Sequence, residues 1–337
     1  MRAVTIVGEF GIDNLQIVER PDPVPGPGQV VVRTKVVSLN YRDLLVVKGL
    51  YNPRQKLPLV PGSDAVGEVV AVGPGVDRVA VGDRVATLFA QRWLAGPPTP
   101  DVLRSTLGSP LDGTLAELLL LDAQGVVAVP DYLSDEEAST LPCAAVTAWH
   151  ALFAAGGLQA GMTVLVIGTG GVSLAALQLA TAAGARVIVT SSSDEKLARA
   201  KTLGAWRTIN YTRDSRWGGT AKAMTGGRGV DRVIEVGGAG TLEQSLRAVR
   251  VGGGIQLIGI LAGARQPINL LPILMRNIRV QGIFVGSRAM FESMNGALEA
   301  HTIHPLVDRV RPFEEAPRAI AELEEGRHFG KICVSFG

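Results

Sequence analysis

The chain has 337 residues, too many for one ordinary hydrophobic core, so two domains are expected. A hydrophobic share of 47% with 19% charged residues describes a globular protein, and a net charge of +2 without a basic block excludes nucleic acid as a partner. Two cysteines far apart, Cys143 and Cys333, exclude a disulfide framework, and no leader or membrane span is legible, so a cytoplasmic protein without a membrane partner is expected.

Taken in chain order, the first 125 residues read as β-rich. Branched apolar residues cluster at 3–7, 15–18, 29–37, 65–72 and 84–88, and Pro/Gly turns such as residues 21–28 and 73–75 punctuate them. Residues 40–47 carry helical spacing. The stretch 91–112, rich in proline and glycine, reads as a long loop, either a lid or a solvated insertion. Its Trp93 and Leu94 would line an entrance or pack on the surface.

From residue 126 the rhythm changes to alternating helices and strands. Ser134-Asp-Glu-Glu137 caps one helix and Ala144–Ala155 forms another. Strands at 163–167, 186–190, 207–210, 230–235, 254–260 and 278–285 alternate with helices at 172–183, 194–203, 216–225 and 241–249, which predicts a doubly wound parallel sheet. Helices at 289–301 and 314–326 and a strand at 331–335 continue no βα unit. The expectation is therefore an α/β protein in which 1–125 and 286–337 make one discontinuous domain and 126–285 the other.

Within the second domain, Val164-Leu-Val-Ile-Gly-Thr-Gly-Gly-Val-Ser173 joins a buried strand to a helix through glycines. Gly168 permits the tight turn, Gly170 lets the backbone approach a pyrophosphate, and Gly171 and Ser173 keep the helix near the sheet. Thr169 and Val172 belong to the same cradle. The next strand ends in Thr190-Ser-Ser-Ser193 where an NAD site expects an acid. Hydroxyls of Ser191 and Ser192 and the charge of Lys196 suit a 2′-phosphate, with Arg199 able to assist, while Asp194 reads as the N-cap of the following helix. NADP(H) is thus expected in preference to NAD(H). Four histidines and two cysteines form no metal-binding motif, so no metal is expected, and a developing oxyanion would need hydrogen-bond donors instead.

These residues, together with Gly204-Ala, Gly229-Val-Asp-Arg-Val-Ile-Glu235, Phe329-Gly-Lys331, Pro61-Gly-Ser-Asp-Ala-Val-Gly-Glu-Val69 and Val81-Gly-Asp-Arg-Val85, resemble the medium-chain dehydrogenase/reductase superfamily along essentially the whole chain. The resemblance implies a GroES-like β-rich catalytic domain split around a Rossmann domain, with nicotinamide and substrate held in the cleft between them. It departs from the zinc-dependent alcohol dehydrogenases, which place cysteine where this chain has Asn40 and histidine where it has Ser63 in Gly62-Ser63-Asp64. Only Cys143, in Pro142-Cys-Ala-Ala-Val-Thr147, stands at a ligand position, and the structural-zinc lobe is absent. The chain is therefore similar to the zinc-free, quinone-oxidoreductase-like branch.

In that branch Asn40 and Tyr51, in Gly49-Leu-Tyr51, match residues placed at the substrate. The resemblance makes Tyr51 a proton or hydrogen-bond donor to the enolate and Asn40 a positioning residue. The competing readings are a loop tyrosine packed beside Pro53 and an asparagine that caps the 41–47 helix. Cys143 reads as a small buried thiol rather than a nucleophile. The resemblance also pairs Tyr211 with Lys196 at the 2′-phosphate and assigns Thr147, Gly237, Gly259, Phe284, Val285 and Lys331 to the cofactor. It implies NADPH-driven reduction of an activated alkene, quinone or carbonyl. The rivals are zinc-free alcohol or aldehyde oxidoreduction and a non-catalytic NADPH-binding sensor or structural protein. A small molecule is the expected substrate, and the apolar strand 280–284 at the sheet edge leads to a homodimer.

Overall fold

The computed structural model describes residues 1–337. The chain forms two compact units, one from Met1–Val146 and Gly286–Gly337 and the other from Thr147–Val285. The break falls at 146/147 rather than at 125/126. The reason is local: Ser134 opens the helix Asp135–Ser139 with a capping box, and that helix packs on the strands Gln29–Ser38 and Asp64–Val72. Residues 126–146 therefore complete the first unit before the alternating βα rhythm begins.

The first unit is built around one long strand, Gln29–Ser38, whose apolar residues are buried along most of its length. It pairs antiparallel with Asp64–Val72, Leu118–Asp122 and Lys331–Ser335, so three distant segments share a single support. Spatially the sheet runs Val307–Pro312, Lys331–Ser335, Gln29–Ser38, Asp64–Val72, Arg84–Thr87 and Val126–Ala128, with Leu118–Asp122 also on the long strand. Composition marks neither Val126–Ala128 nor Val307–Pro312 as a strand. The second carries Asp308, Arg309 and Arg311, which pair with one another and with Glu322, so its sequence lacks an apolar alternation. A small separate ribbon pairs Arg2–Ile6 with Leu15–Glu19. The helix Ala316–Glu325 buries Ala319, Ile320 and Leu323 in the same core as Val30, Val47, Ile332 and Val334. That contact seats the returning C-terminal segment.

Two strand registers decide where the polar residues of this unit meet. Ser38 lies opposite Asp64 on one side and opposite Cys333 on the other. Residues 38–40, the start of the 64–72 strand and the start of the last strand are thereby brought to one place. The stretch 91–112 is anchored to the rest of the first unit, although residues 95–101 are exposed. Trp93 is buried with its indole N–H donated to Gly96 O at 2.9 Å, a short helix Pro100–Leu103 forms within it, and Trp93 O and Leu94 O accept the N–H groups of Arg288 and Ala289.

The second unit is a six-stranded parallel sheet in the spatial order Arg207–Asn210, Arg186–Ser191, Thr163–Ile167, Val230–Glu235, Val249–Leu257 and Arg279–Gly282. Every residue of Thr163–Ile167 and Val230–Glu235 is buried; the first reads as a continuous apolar run, whereas the second buries Asp231, Arg232 and Glu235 as well. The order reverses between these two central strands, and in doubly wound sheets the C-terminal edge at that reversal is where ligands bind.

Close strand packing imposes one steric condition on the first unit. Gly67 lies against Arg33, and a Cβ there would sit 2.2 Å from Arg33 O. Gly67→Ala should lower stability by about 1–3 kcal/mol through overpacking, measured by chemical denaturation; an unchanged midpoint would show that the two strands can separate without cost.

Candidate functional site

The glycine turn of the second unit takes the form its sequence requires. Gly168 adopts φ +76, Gly170 is the N-cap of the helix Gly171–Ala182, and a Cβ on Gly170 would meet nothing within 4 Å. The Ser173 hydroxyl donates to Ile167 O at 2.7 Å, tying the first turn of the helix to the end of its strand. The first N–H groups of a helix have no intrahelical acceptor, so those of Gly171 and Val172, with the helix dipole, face the open space above Gly170. That is the chemistry a dinucleotide pyrophosphate needs, and these residues fit one.

At the end of the next strand, Arg186–Ser191, Ser191 is buried while Ser192 is exposed. The Tyr211 N–H donates to Ser191 O at 3.1 Å, which sets Tyr211 beside the serines, and Lys196 lies one turn into the next helix. Ser193, not Asp194, caps that helix: its hydroxyl oxygen accepts the Lys196 N–H at 3.3 Å. The Asp194 carboxylate has other partners. Asn210 Nδ2 donates to it at 2.7 Å and Arg213 pairs with it at 2.5 Å. Sequence reasoning misses both partners because they reach Asp194 only through the pairing of Arg207–Asn210 with Arg186–Ser191.

Glu235 ends a central strand and is wholly buried without a cation. Its Oε1 accepts from Gly237 N at 2.8 Å, Gly238 N at 3.1 Å and Thr241 Oγ1 at 2.6 Å, and its Oε2 accepts from Ser245 Oγ. This carboxylate shapes the loop that carries Gly237. A Cβ at Gly259 would fall 2.5 Å from Val236 O, so the two loops meet backbone to backbone. Val285 O accepts from His150 Nδ1 at 2.7 Å, which pins the end of the 278–285 segment, and Thr147 is buried at the start of the unit.

In the first unit the registers at Ser38 gather a buried polar cluster. Asn40 is 9% exposed and Lys331 5% exposed. The Lys331 ammonium donates to Asn40 Oδ1 and to Leu39 O. Asn40 Nδ2 donates to Ser63 Oγ at 3.4 Å, the Ser63 hydroxyl donates to Asp64 Oδ1 at 2.6 Å, and Asp64 Oδ2 accepts the Cys143 N–H at 3.0 Å. The family motif assigns Lys331 to the cofactor; within the first unit its ammonium is held by Leu39 and Asn40. Its ammonium is enclosed within the first unit, because Gly330, at φ +97 with a Cβ position 2.3 Å from Leu306 O, turns the chain so that Lys331 enters the last strand beside Leu39.

Asn40 does precede the helix Tyr41–Val47, and Asp43 Oδ2 accepts its backbone N–H at 2.8 Å. The capping position and the polar cluster thus belong to one residue, the backbone serving the first and the side chain the second. Arg42 lies over the rings of Tyr51 and Phe89 at 4.6 and 4.8 Å, and donates to Leu107 O and Ser109 O at 2.7 Å each. Tyr51 is 42% exposed. The structure therefore groups Asn40 with Lys331, and Tyr51 with Arg42. Nothing in the sequence shows that Phe89, Leu107 and Ser109 converge on Arg42, since the 91–112 stretch gives no periodic signal.

Charge in this cluster is tightly managed. Burial pushes the Asp64 carboxyl up, opposed by Lys331 and by the Ser63, Asn40 and Cys143 donors. Burial, then the Asp64 charge, pushes the Cys143 thiol up, so it stays protonated. Asn40 and Ser63 are neutral, an ammonium already lies against Asn40, and no group of three or more His, Cys, Asp or Glu side chains is placed to hold a metal. This donor set does not fit zinc, which needs three protein ligands in a catalytic site.

Burial raises Asp43 to about 6, opposed by Arg42, and its Oδ1 has no hydrogen-bond partner. Because the folded value lies above the unfolded one, the folded state holds the proton more tightly. Stability should therefore fall as pH rises from the ordinary carboxylate range through about 6. Asp43→Asn keeps an acceptor for the Asn40 N–H and removes the charge. Denaturation midpoints at pH 4.5, 6 and 7.5 should show a flatter dependence in the variant; identical profiles would refute the assignment.

Residues 26–131 match the family model described as alcohol dehydrogenase GroES-like domain, and residues 171–300 match the one described as zinc-binding dehydrogenase. A zinc-type alcohol dehydrogenase-like protein of Schizosaccharomyces pombe is 46% identical over 331 residues, covering 96% of each chain. Other relatives are called acryloyl-coenzyme A reductase and quinone oxidoreductase-like protein 2. Among solved structures, an NAD-dependent alcohol dehydrogenase has a TM-score of 0.92 at 35% identity over 100% of both chains. A mycobacterial protein complexed with NADPH has a TM-score of 0.84 at 28% identity over 99% of both chains. By these matches, by its glycine turn and parallel sheet, and by its GroES-like first unit, the chain belongs to the medium-chain dehydrogenase/reductase superfamily of nicotinamide-dependent oxidoreductases.

Proposed function

We propose that this protein is an NADPH-dependent reductase of an activated alkene, quinone or carbonyl that works without zinc. The observation that carries the metal-free reading is the Lys331–Asn40–Ser63–Asp64 chain, which puts an ammonium and neutral donors where zinc enzymes of the family place ligands. The preference for NADPH rests on the end of the Arg186–Ser191 strand. There Ser191, Ser192, Lys196 and Tyr211 suit a 2′-phosphate, and the nearest carboxylate, Asp194, is occupied by Asn210 and Arg213. A ribose 2′-hydroxyl would need a carboxylate free to accept from it.

The bound dihydronicotinamide supplies a hydride. The chain's residues then have two tasks. Backbone N–H groups at 170–172, with Thr169, hold the pyrophosphate, and Gly237, Gly259, Thr147, Phe284 and Val285 line the remainder of the cofactor's path. Adding a hydride to a conjugated carbonyl leaves negative charge on oxygen, and the first unit supplies donors to it: the Asn40 amide and the Tyr51 phenol. A phenol is a competent acid only where its anion is stabilised, and the Arg42 guanidinium over the Tyr51 ring provides positive charge there.

Stopped-flow and steady-state oxidation of NADPH and NADH against enones, quinones and aldehydes tests the reading. Turnover of an enone or quinone with NADPH preferred is expected. Turnover confined to alcohols and aldehydes would replace it with a dehydrogenase, and tight NADPH binding without turnover would replace it with a sensor. Tyr51→Phe should slow enone reduction by roughly 10²-fold if the phenol is the acid; an unchanged rate would remove Tyr51 from the chemistry.

A homodimer is part of the same proposal, argued from the edge of the second unit. Arg279–Gly282 is an exposed edge strand, and Leu270, Leu271, Leu274 and Met275 beside it are also exposed. An uncovered apolar edge invites strand pairing with a second copy. Light scattering should give twice the chain mass, and Val280→Glu should give the monomer; a monomeric parent protein would sink the proposal.

A further inference from the structure

Helix and sheet of the second unit are joined at one histidine. The helix Val146–Trp149 continues from His150 as a π turn, in which the Ala155 N–H donates to His150 O at 2.9 Å. The far end of that turn is tied to the sheet, because Arg232, on a buried strand, donates from its guanidinium to Gly156 O. Within it Trp149 and Phe153 pack ring to ring with centroids 4.3 Å apart. The segment facing His150 is of another kind. The edge strand ends at Gly282, Ile283 N–H donates to Leu257 O at 2.9 Å, and residues 283–287 belong to no helix or strand. The buried side chains of Ile283 and Val285 fix where this segment lies. The histidine fixes which way its carbonyls turn, since Nδ1 lies 2.7 Å from Val285 O and 3.2 Å from Phe284 O. Carbonyl oxygens only accept, so Nδ1 must carry a proton whether the ring is neutral or charged. Without it, a nitrogen lone pair would face two oxygens.

We propose that His150 is a positioning residue for the nucleotide: its Nδ1–H holds the Phe284 and Val285 carbonyls, so that the backbone there is set before the cofactor binds. This rests on the reading that Phe284 and Val285 line the cofactor's path. Their placement supports that reading, because the segment follows the C-terminal end of a parallel strand, the edge at which doubly wound sheets bind ligands. A segment already ordered spares its ligand the ordering entropy, whereas a loose one lowers affinity by the fraction of time it is competent. Removing the histidine withdraws a donor from both carbonyl oxygens, and the segment is then able to turn them toward water. The effect falls on nucleotide binding more than on hydride transfer, because His150 acts through the backbone.

The test joins binding to two readouts independent of turnover. In full-length protein labelled with [15N]histidine, spectra recorded above the ordinary imidazole range should show a protonated Nδ1 for His150, assigned among the four histidines by its loss in His150→Asn. His150→Leu should speed amide exchange of residues 284–287 about tenfold, as loss of a hydrogen bond allows, and leave Thr163–Ile167 unchanged. Its NADPH and NADH dissociation constants, read by nucleotide fluorescence, should both rise about tenfold while kcat moves less than about twofold. His150→Asn, which places an amide N–H near the Nδ1 position, should keep most of the protection and the affinity, and serves if the leucine variant does not fold. A ring protonated only on Nε2, unchanged exchange, or unchanged dissociation constants in His150→Leu would each overturn the proposal. A wild-type protein that binds neither nucleotide would instead refute the cofactor reading, and the exchange data would still decide whether His150 holds the segment.

Discussion

A lysine ammonium cannot remain buried without acceptors, and the polar cluster around Asn40 meets that requirement at Lys331. The acceptors are Leu39 O and Asn40 Oδ1, and the balancing charge is Asp64, two side chains away. Four segments remote in sequence must converge for this to happen: the end of the long strand, the start of 64–72, the turn at Cys143, and the last strand. Removing water from these groups strengthens their mutual attraction and raises the cost of any arrangement that leaves one unpaired. Removing one member of such a network would leave a buried charge or polar group unpaired, so its members hold one another in place.

The second unit solves a different problem with backbone. Its two central strands are buried on both faces, so ligand contacts in such a sheet fall to the loops at the C-terminal edge. Gly168 and Gly170 keep the pyrophosphate loop open. Glu235, satisfied by two N–H groups and two hydroxyls, stiffens the neighbouring loop without bringing in a counter-charge. The serines and Lys196 at the next strand end set the electrostatics that the nucleotide's ribose would meet. Arg213 and Asn210 occupy the Asp194 carboxylate beside these serines.

The glycine turn and the βα alternation are legible in the sequence because they depend on local features: strand length, helix periodicity and positions that need φ > 0. Ser134 and its capping box are legible for the same reason. The cap expected at Asp194 falls one residue earlier, at Ser193, a shift within the usual looseness of helix ends. The strand Val307–Pro312 is invisible because it carries no apolar alternation, and the pairing of its arginines with Glu322 on a later helix leaves no local signal. The 91–112 stretch resists reading because its order comes from contacts with Arg42 and with residues 288 and 289, not from its own periodicity.

By itself the sequence determined that the chain builds a dinucleotide turn, since that depends on residue types at fixed spacings, and its resemblance to the family marks residues 40 and 63 as lacking the cysteine and histidine of the zinc enzymes. Only the tertiary structure decided what stands there instead. Lys331 and Asn40 are separated by nearly the whole chain, and no local pattern couples them. Their meeting is set by strand register, with Ser38 opposite Cys333 and Leu39 bonded to Ile332. A register is a property of paired backbones, and it brings Lys331 to the amide of Asn40.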